Sequence, residues 1–249
     1  MLSIRKEQIQ VLKQDALKKF ENNLLDHIKK YFPNHWRIFG KQQLREVIVL
    51  AMERAKAYNL ETEKDMYLFI GMMLYLGSFF DEDPMFSWVR GKLQDRSIEK
   101  PSQRIEIAYD TMLEYLDRVF GNQNHYLIKA LKRISEEVTN NSFIDRHALD
   151  NEQFISMLRF IYPEKLQEIS SEDIKYMLEL AVMQIRSYGL QSNEALFWGS
   201  LMSFFLGCGY YKDPQFNWIN EILTKKMDSK NRIVLLKQGI EDHVQQWLT

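Results

Sequence analysis

Between residues 44 and 58 the apolar positions are Leu44, Val47, Ile48, Ala51, Met52, Ala55 and Tyr58. Steps of three and four place them on one face of an α-helix. The same stripe returns at Ile174, Met177, Leu178, Ala181, Val182, Ile185 and Tyr188. One stripe stops at Asn59 and the other at Gly189, the two residue types that best tolerate the left-handed conformation closing a helix. Thr62 and Ser192 stand where the next helices need N-caps, and Ser170 with Asp173 has the spacing of a capping box. No segment alternates with period two, and Gly (10) and Pro (5) are few, so the fold class is all-α. The spacing predicts helices over 4–31, 42–58, 63–77, 84–93, 102–120 and 124–138, then 150–161, 171–188, 193–206, 214–226 and 229–247.

The two stripes belong to a longer correspondence. From 58 to 93, adding 130 gives ten identities in 36 positions without a gap, where average composition gives roughly 2–3. Among them Asp83, Pro84, Phe86 and Trp88 meet Asp213, Pro214, Phe216 and Trp218. Phe32-Pro33 meets Tyr162-Pro163 at the same offset, and beyond position 100 the offset is 128. This reads as a tandem duplication of a helical repeat of about 100 residues, its halves packed with approximate two-fold symmetry. The expected organisation is a first repeat with an N-terminal helix over 1–121, a connecting helix and linker over 122–149, and a second repeat over 150–249. The eight D-P-x-F-x-W residues are a structural signature, with Asp as N-cap and Pro at the first helical position.

Residues 66–80 and 195–211 are strongly apolar but fall short of the roughly 18–20 residues a membrane span needs. They read as buried central helices. Lys+Arg total 33 against Asp+Glu 34, so no basic excess points to nucleic acid. The start, MLSIRKEQIQVLKQ, has no apolar leader core, and the lone cysteine, Cys208, allows no internal disulfide. A cytoplasmic protein without membrane insertion is expected.

Candidate chemistry is sparse. His27, His35, His125, His147 and His243 form no metal-ligand spacing, and Cys208 has no local base signature. Of the acidic run Asp81-Glu82-Asp83 only Asp83 recurs in the second repeat, which favours capping over cation binding. No catalytic, cofactor or metal residues are assigned. The turns are where the repeats differ within a common frame. Phe79, Phe80, Asp81 and Glu82, with Tyr210, Tyr211 and Lys212, are the candidate partner-binding surface. Alternatively, their aromatics seal the contact between repeats.

IRKEQ (4–8), KKYFP (29–33), QLRE (43–46), AKAYNLETEKDMYLFI (55–70) and LGSFFDEDPMFSW (76–88) together resemble a family of small bacterial helical proteins. Its pattern runs IRxEQ, FP, LRE, RAxxYGI, ERDV and FGxDFDxDPxxPW, and its genes lie in type VI secretion clusters beside spike proteins and toxic effectors. Asn59 replaces the family's usual Gly, Ser87 stands where Pro is common, and the second repeat lacks the IRxEQ opening. The resemblance implies a non-enzymatic, protein-binding accessory role: an adaptor or chaperone for a secretion effector or spike protein. Its alternatives are an immunity protein that neutralises a toxin, and an enzyme or toxin whose site is not visible in sequence.

Overall fold

The computed structural model describes residues 6–140 and 151–249, with side chains from residue 14 onward. The IRKEQ side chains, His147 and the end of the linker read at 122–149 lie outside them. Among the described residues the chain is all-helical, without a strand. The first part runs α1 (Lys6–Tyr31), α2 (Pro33–Arg54), α3 (Glu63–Leu76), α4 (Ser87–Leu93), α5 (Pro101–Phe120) and α6 (His125–Asn140). The second runs α7 (Asn151–Ile161), α8 (Pro163–Gln167), α9 (Ser171–Ser187), α10 (Asn193–Leu206), α11 (Asn217–Thr224) and α12 (Ser229–Leu248). Short 3₁₀ turns occupy Ala55–Tyr58, Pro84–Phe86, Tyr210–Lys212 and Pro214–Phe216.

The helix ends follow their caps. Asn59 is left-handed (φ 56°, ψ 39°), and the N–H of Leu60 reaches back to Ala55 O at 3.2 Å. Gly189 (φ 73°) closes α9 in the same way, with Leu190 N–H on Ile185 O at 3.4 Å. Thr62 and Asp65 form a reciprocal capping box on α3. Ser192 Oγ accepts the Ala195 N–H at 3.2 Å at the start of α10. Ser170 Oγ accepts the Asp173 N–H at 3.0 Å, while its own hydroxyl donates to Asp173 Oδ2 at 2.8 Å.

Two helical pieces go beyond the periodicity. α2 begins at Pro33 and breaks at Gly40 (φ 71°, ψ 170°) before the predicted stripe, and α8 is a short helix beginning at Pro163. Both follow an aromatic residue, Phe32 or Tyr162, with Pro at the first helical position. They are too short to show a stripe.

The two apolar stretches form α3 and α10, which lie in the core. Phe69, Met72 and Met73 of α3 and Phe197, Trp198 and Phe204 of α10 are almost fully buried. Among the described residues no helix is long and apolar enough to cross a membrane. α3 packs on α2 and α5, α10 packs on α9, and α6 packs on α12. The halves also cross-pack: the turn 84–86 lies against α9, and the turn 214–216 lies against α2.

The halves meet closely where α3 and α10 end. Gly77 (φ 91°) and Gly207 (φ 92°) sit at this approach. A Cβ on Gly77 would lie 2.4 Å from Leu206 O, and one on Gly207 would lie 3.0 Å from Leu76 O. Only glycine combines this backbone conformation with so close a neighbour.

Candidate functional site

The repeated D-P-x-F-x-W turns do more than start helices. Asp83 Oδ1 accepts the Met85 N–H and Asp213 Oδ1 accepts the Gln215 N–H, each at 2.9 Å, as N-caps do. The second oxygen of each carboxylate crosses to the other half. Cys208 N–H donates to Asp83 Oδ2 at 2.6 Å, and Ser78 N–H donates to Asp213 Oδ2 at 2.7 Å. Ser78 and Cys208 are 130 apart, as are the two aspartates. Burial raises both carboxyls above their ordinary range, and these N–H donors pull against it. The same burial pushes the Cys208 thiol up, so it stays protonated, with Asp83 adding to the effect.

The seven turn residues divide by exposure. Phe80 and Tyr210 are fully buried, and Phe79 and Asp81 are buried as well. Asp81 receives the Tyr58 hydroxyl at 2.9 Å and the Arg54 Nε–H at 3.2 Å. Phe79 lies under two cations, the Arg54 guanidinium at 4.6 Å and Lys212 Nζ at 4.1 Å from the ring centroid. Its ring also faces Gly209, where a Cβ would come within 2.3 Å. The part of this region facing outward is Glu82, Lys212 and half-buried Tyr211, so the aromatics Phe79, Phe80 and Tyr210 serve the interior.

An apolar concavity lies elsewhere, between the halves. It is a half-open apolar cavity of about 150 Å³. Its walls carry residues at the sequence offsets noted above: at offset 130 Tyr75 with Phe205, Leu76 with Leu206 and Phe86 with Phe216, and at offset 128 Tyr115 with His243 and Val119 with Trp247. His35 and Lys165 correspond too, each two residues after the paired prolines Pro33 and Pro163. Tyr75, exposed, and the half-buried Phe120, Phe205 and Trp247 give the cavity an aromatic rim.

The polar groups on this wall are few and differ between halves. His35 Nε2–H donates to Leu74 O at 3.2 Å, and burial lowers its pKa to about 4. His243 Nε2 accepts the Trp247 indole N–H at 3.1 Å, which leaves its other nitrogen to carry the proton. Burial, with His35 nearby, lowers it also to about 4. Gln215 Nε2 donates to Met73 O at 2.9 Å. The Tyr115 hydroxyl is buried without a hydrogen-bond partner among the described residues.

Lys165 stands apart. It is 8% exposed, and its Nζ lies 5.1 Å from the Phe204 ring centroid and 5.6 Å from that of Phe86. Among the described residues its contacts are with these ring faces rather than with a hydrogen-bond acceptor or a carboxylate. Burial lowers its pKa to about 8 despite the attraction of Asp83. Among the described residues no three His, Cys, Asp or Glu side chains converge as a metal ion would require.

Sequence reasoning found no metal-ligand spacing around His35 and passed over Lys165. The readable signal was the repeated aromatic-Pro pair followed, two residues later, by an ionisable side chain in both halves. No family model, no curated protein and no solved structure matches the chain. The site is therefore read from its geometry.

Proposed function

We propose that the chain is an internally duplicated binding protein whose cleft between the halves holds a protein partner by an apolar anchor. The observation that carries this reading is the aromatic-rimmed cavity built jointly by α3, α5, α10 and α12. Preformed apolar pockets with aromatic borders are where a partner's anchoring side chain gains most. The duplication is supported by the matched helix offsets, the matched glycines and the crossed aspartate contacts.

With the resemblance noted above, the partner class is a secretion effector, and the role is that of a cytoplasmic adaptor or chaperone. The test is co-expression with type VI secretion effectors. The native chain should keep its effector soluble, while Tyr75→Glu and Phe205→Glu at the rim should lose it. Met183→Glu, on an exposed position of α9, should behave as native. Retention by both rim variants rejects the cleft. Rescue of cell growth from a toxin, without any gain in effector solubility, assigns the chain to immunity instead.

A further inference from the structure

The cavity wall is nearly symmetric in shape but not in charge. At one of two corresponding positions, the His35 imidazole is short enough to spend its N–H on the carbonyl of Leu74. At the other, the longer Lys165 side chain passes over the Phe204 and Phe86 rings and ends without an acceptor among the described residues. The Lys165 side chain is 8% exposed and lines an apolar wall, where an ammonium is costly unless something pairs with it. Asp83 attracts it but lies beyond ion-pair distance, with both oxygens already taken by the N–H groups of Met85 and Cys208. Burial still outweighs that attraction. The missing partner is a negatively charged oxygen on something that otherwise prefers an apolar wall.

We propose that this cavity binds a compact apolar carboxylate, its hydrocarbon part against Leu76, Leu206, Phe86 and Phe216 and its carboxylate on the Lys165 ammonium. A space of about 150 Å³ suits a single ring or a short aliphatic chain. His35 and His243, which also line the cavity, are neutral at pH 7, which leaves Lys165 as the cation among its described lining residues. This extends the binding reading to the floor of the same cleft. The ligand is a free organic acid or the C-terminal residue of a partner chain, since both carry the same chemistry.

The test is calorimetric titration of the full chain at pH 7 with phenylacetate, 2-phenylethanol and 2-phenylethylamine, which differ only in the head group. Phenylacetate should bind at least tenfold tighter than the alcohol, and the amine weakest. In Lys165→Met the acid and the alcohol should bind equally. Because the three-ligand comparison runs on the native chain, it stands even if that variant does not fold. A parallel titration with a short peptide ending in Phe, with free or amidated terminus, separates the two sources. Preference for the free terminus over phenylacetate assigns the ligand to a partner's C-terminus, and the reverse assigns it to a free acid. Equal binding of acid and alcohol by the native chain, or no binding of any of the probes at millimolar concentration, overturns the proposal. Neither result depends on the effector co-expression test, so the two readings fail separately.

Discussion

Single residues set the pH response of this molecule. His35 and His243 titrate near 4 in the folded chain against an ordinary 6.5, because burial disfavours the charged imidazole. The unfolded chain therefore binds more protons than the folded one between those values. Their contribution to stability is complete above about 6.5 and is lost as the pH falls toward 4, on the order of 3 kcal/mol for each group. Urea unfolding midpoints measured from pH 7 to pH 4 should drop through this window, and His35→Gln should flatten the slope. A variant with the native slope would show that His35 does not titrate as described. Residues are also where sequence reading had least purchase. Lys165 is one charged side chain among many, and an isolated lysine in a polar-looking stretch reads as solvated. Its burial depends on helices far away in the chain. Phe80 and Tyr210 look like exposed turn aromatics next to charges, yet the left-handed glycines before them turn the chain inward.

At the level of elements, periodicity served well and failed only where elements are short. The stripes at 44–58 and 174–188, the caps at Asn59 and Gly189, and the apolar helices α3 and α10 were all legible, because side-chain spacing and capping chemistry are local. The turn of helix before Gly40 and the short α8 were not, since one or two turns cannot display a repeat. The contact between the ends of α3 and α10 was equally hidden, being a meeting of backbones. It makes a sharp prediction. Gly77→Ala forces a Cβ into a left-handed backbone and against Leu206 O, and should cost about 3 kcal/mol or more. Gly91→Ala, inside α4 with open space around it, should stabilise by about 0.5–1 kcal/mol. Thermal unfolding of both variants checks the pair, and similar shifts of the same sign would contradict this account of the glycines.

For the whole molecule, the crossed aspartates mean that neither half satisfies its own backbone. Ser78 N–H depends on Asp213, and Cys208 N–H depends on Asp83. A buried N–H left without its acceptor costs about 1–3 kcal/mol, and each half also leaves the apolar ends of α3 or α10 uncovered. Polypeptides 1–121 and 122–249, prepared separately, should each show weak helical circular dichroism and regain it on mixing at equal concentration. Full helicity of either piece alone would show that the crossed contacts are dispensable. The D-P-x-F-x-W spacing announced helix starts in the sequence. That its aspartates also hold the halves together was not readable, because it depends on residues 125 and 135 positions away.

The cavity's place between corresponding walls has a consequence for orientation. Under the duplication proposed above, an ancestral single-repeat chain would have formed this space between two identical copies. A ligand there meets the same groups at both ends and can enter in two equivalent directions. Joining the copies into one polypeptide removes that degeneracy, because each wall is then free to change alone. His35 and Lys165 are such a pair: among the described residues one donates to a backbone carbonyl and the other lies over aromatic rings. A pocket that would have been blind to head and tail thereby acquires a polarity, and a guest with one charged end has a single way to sit.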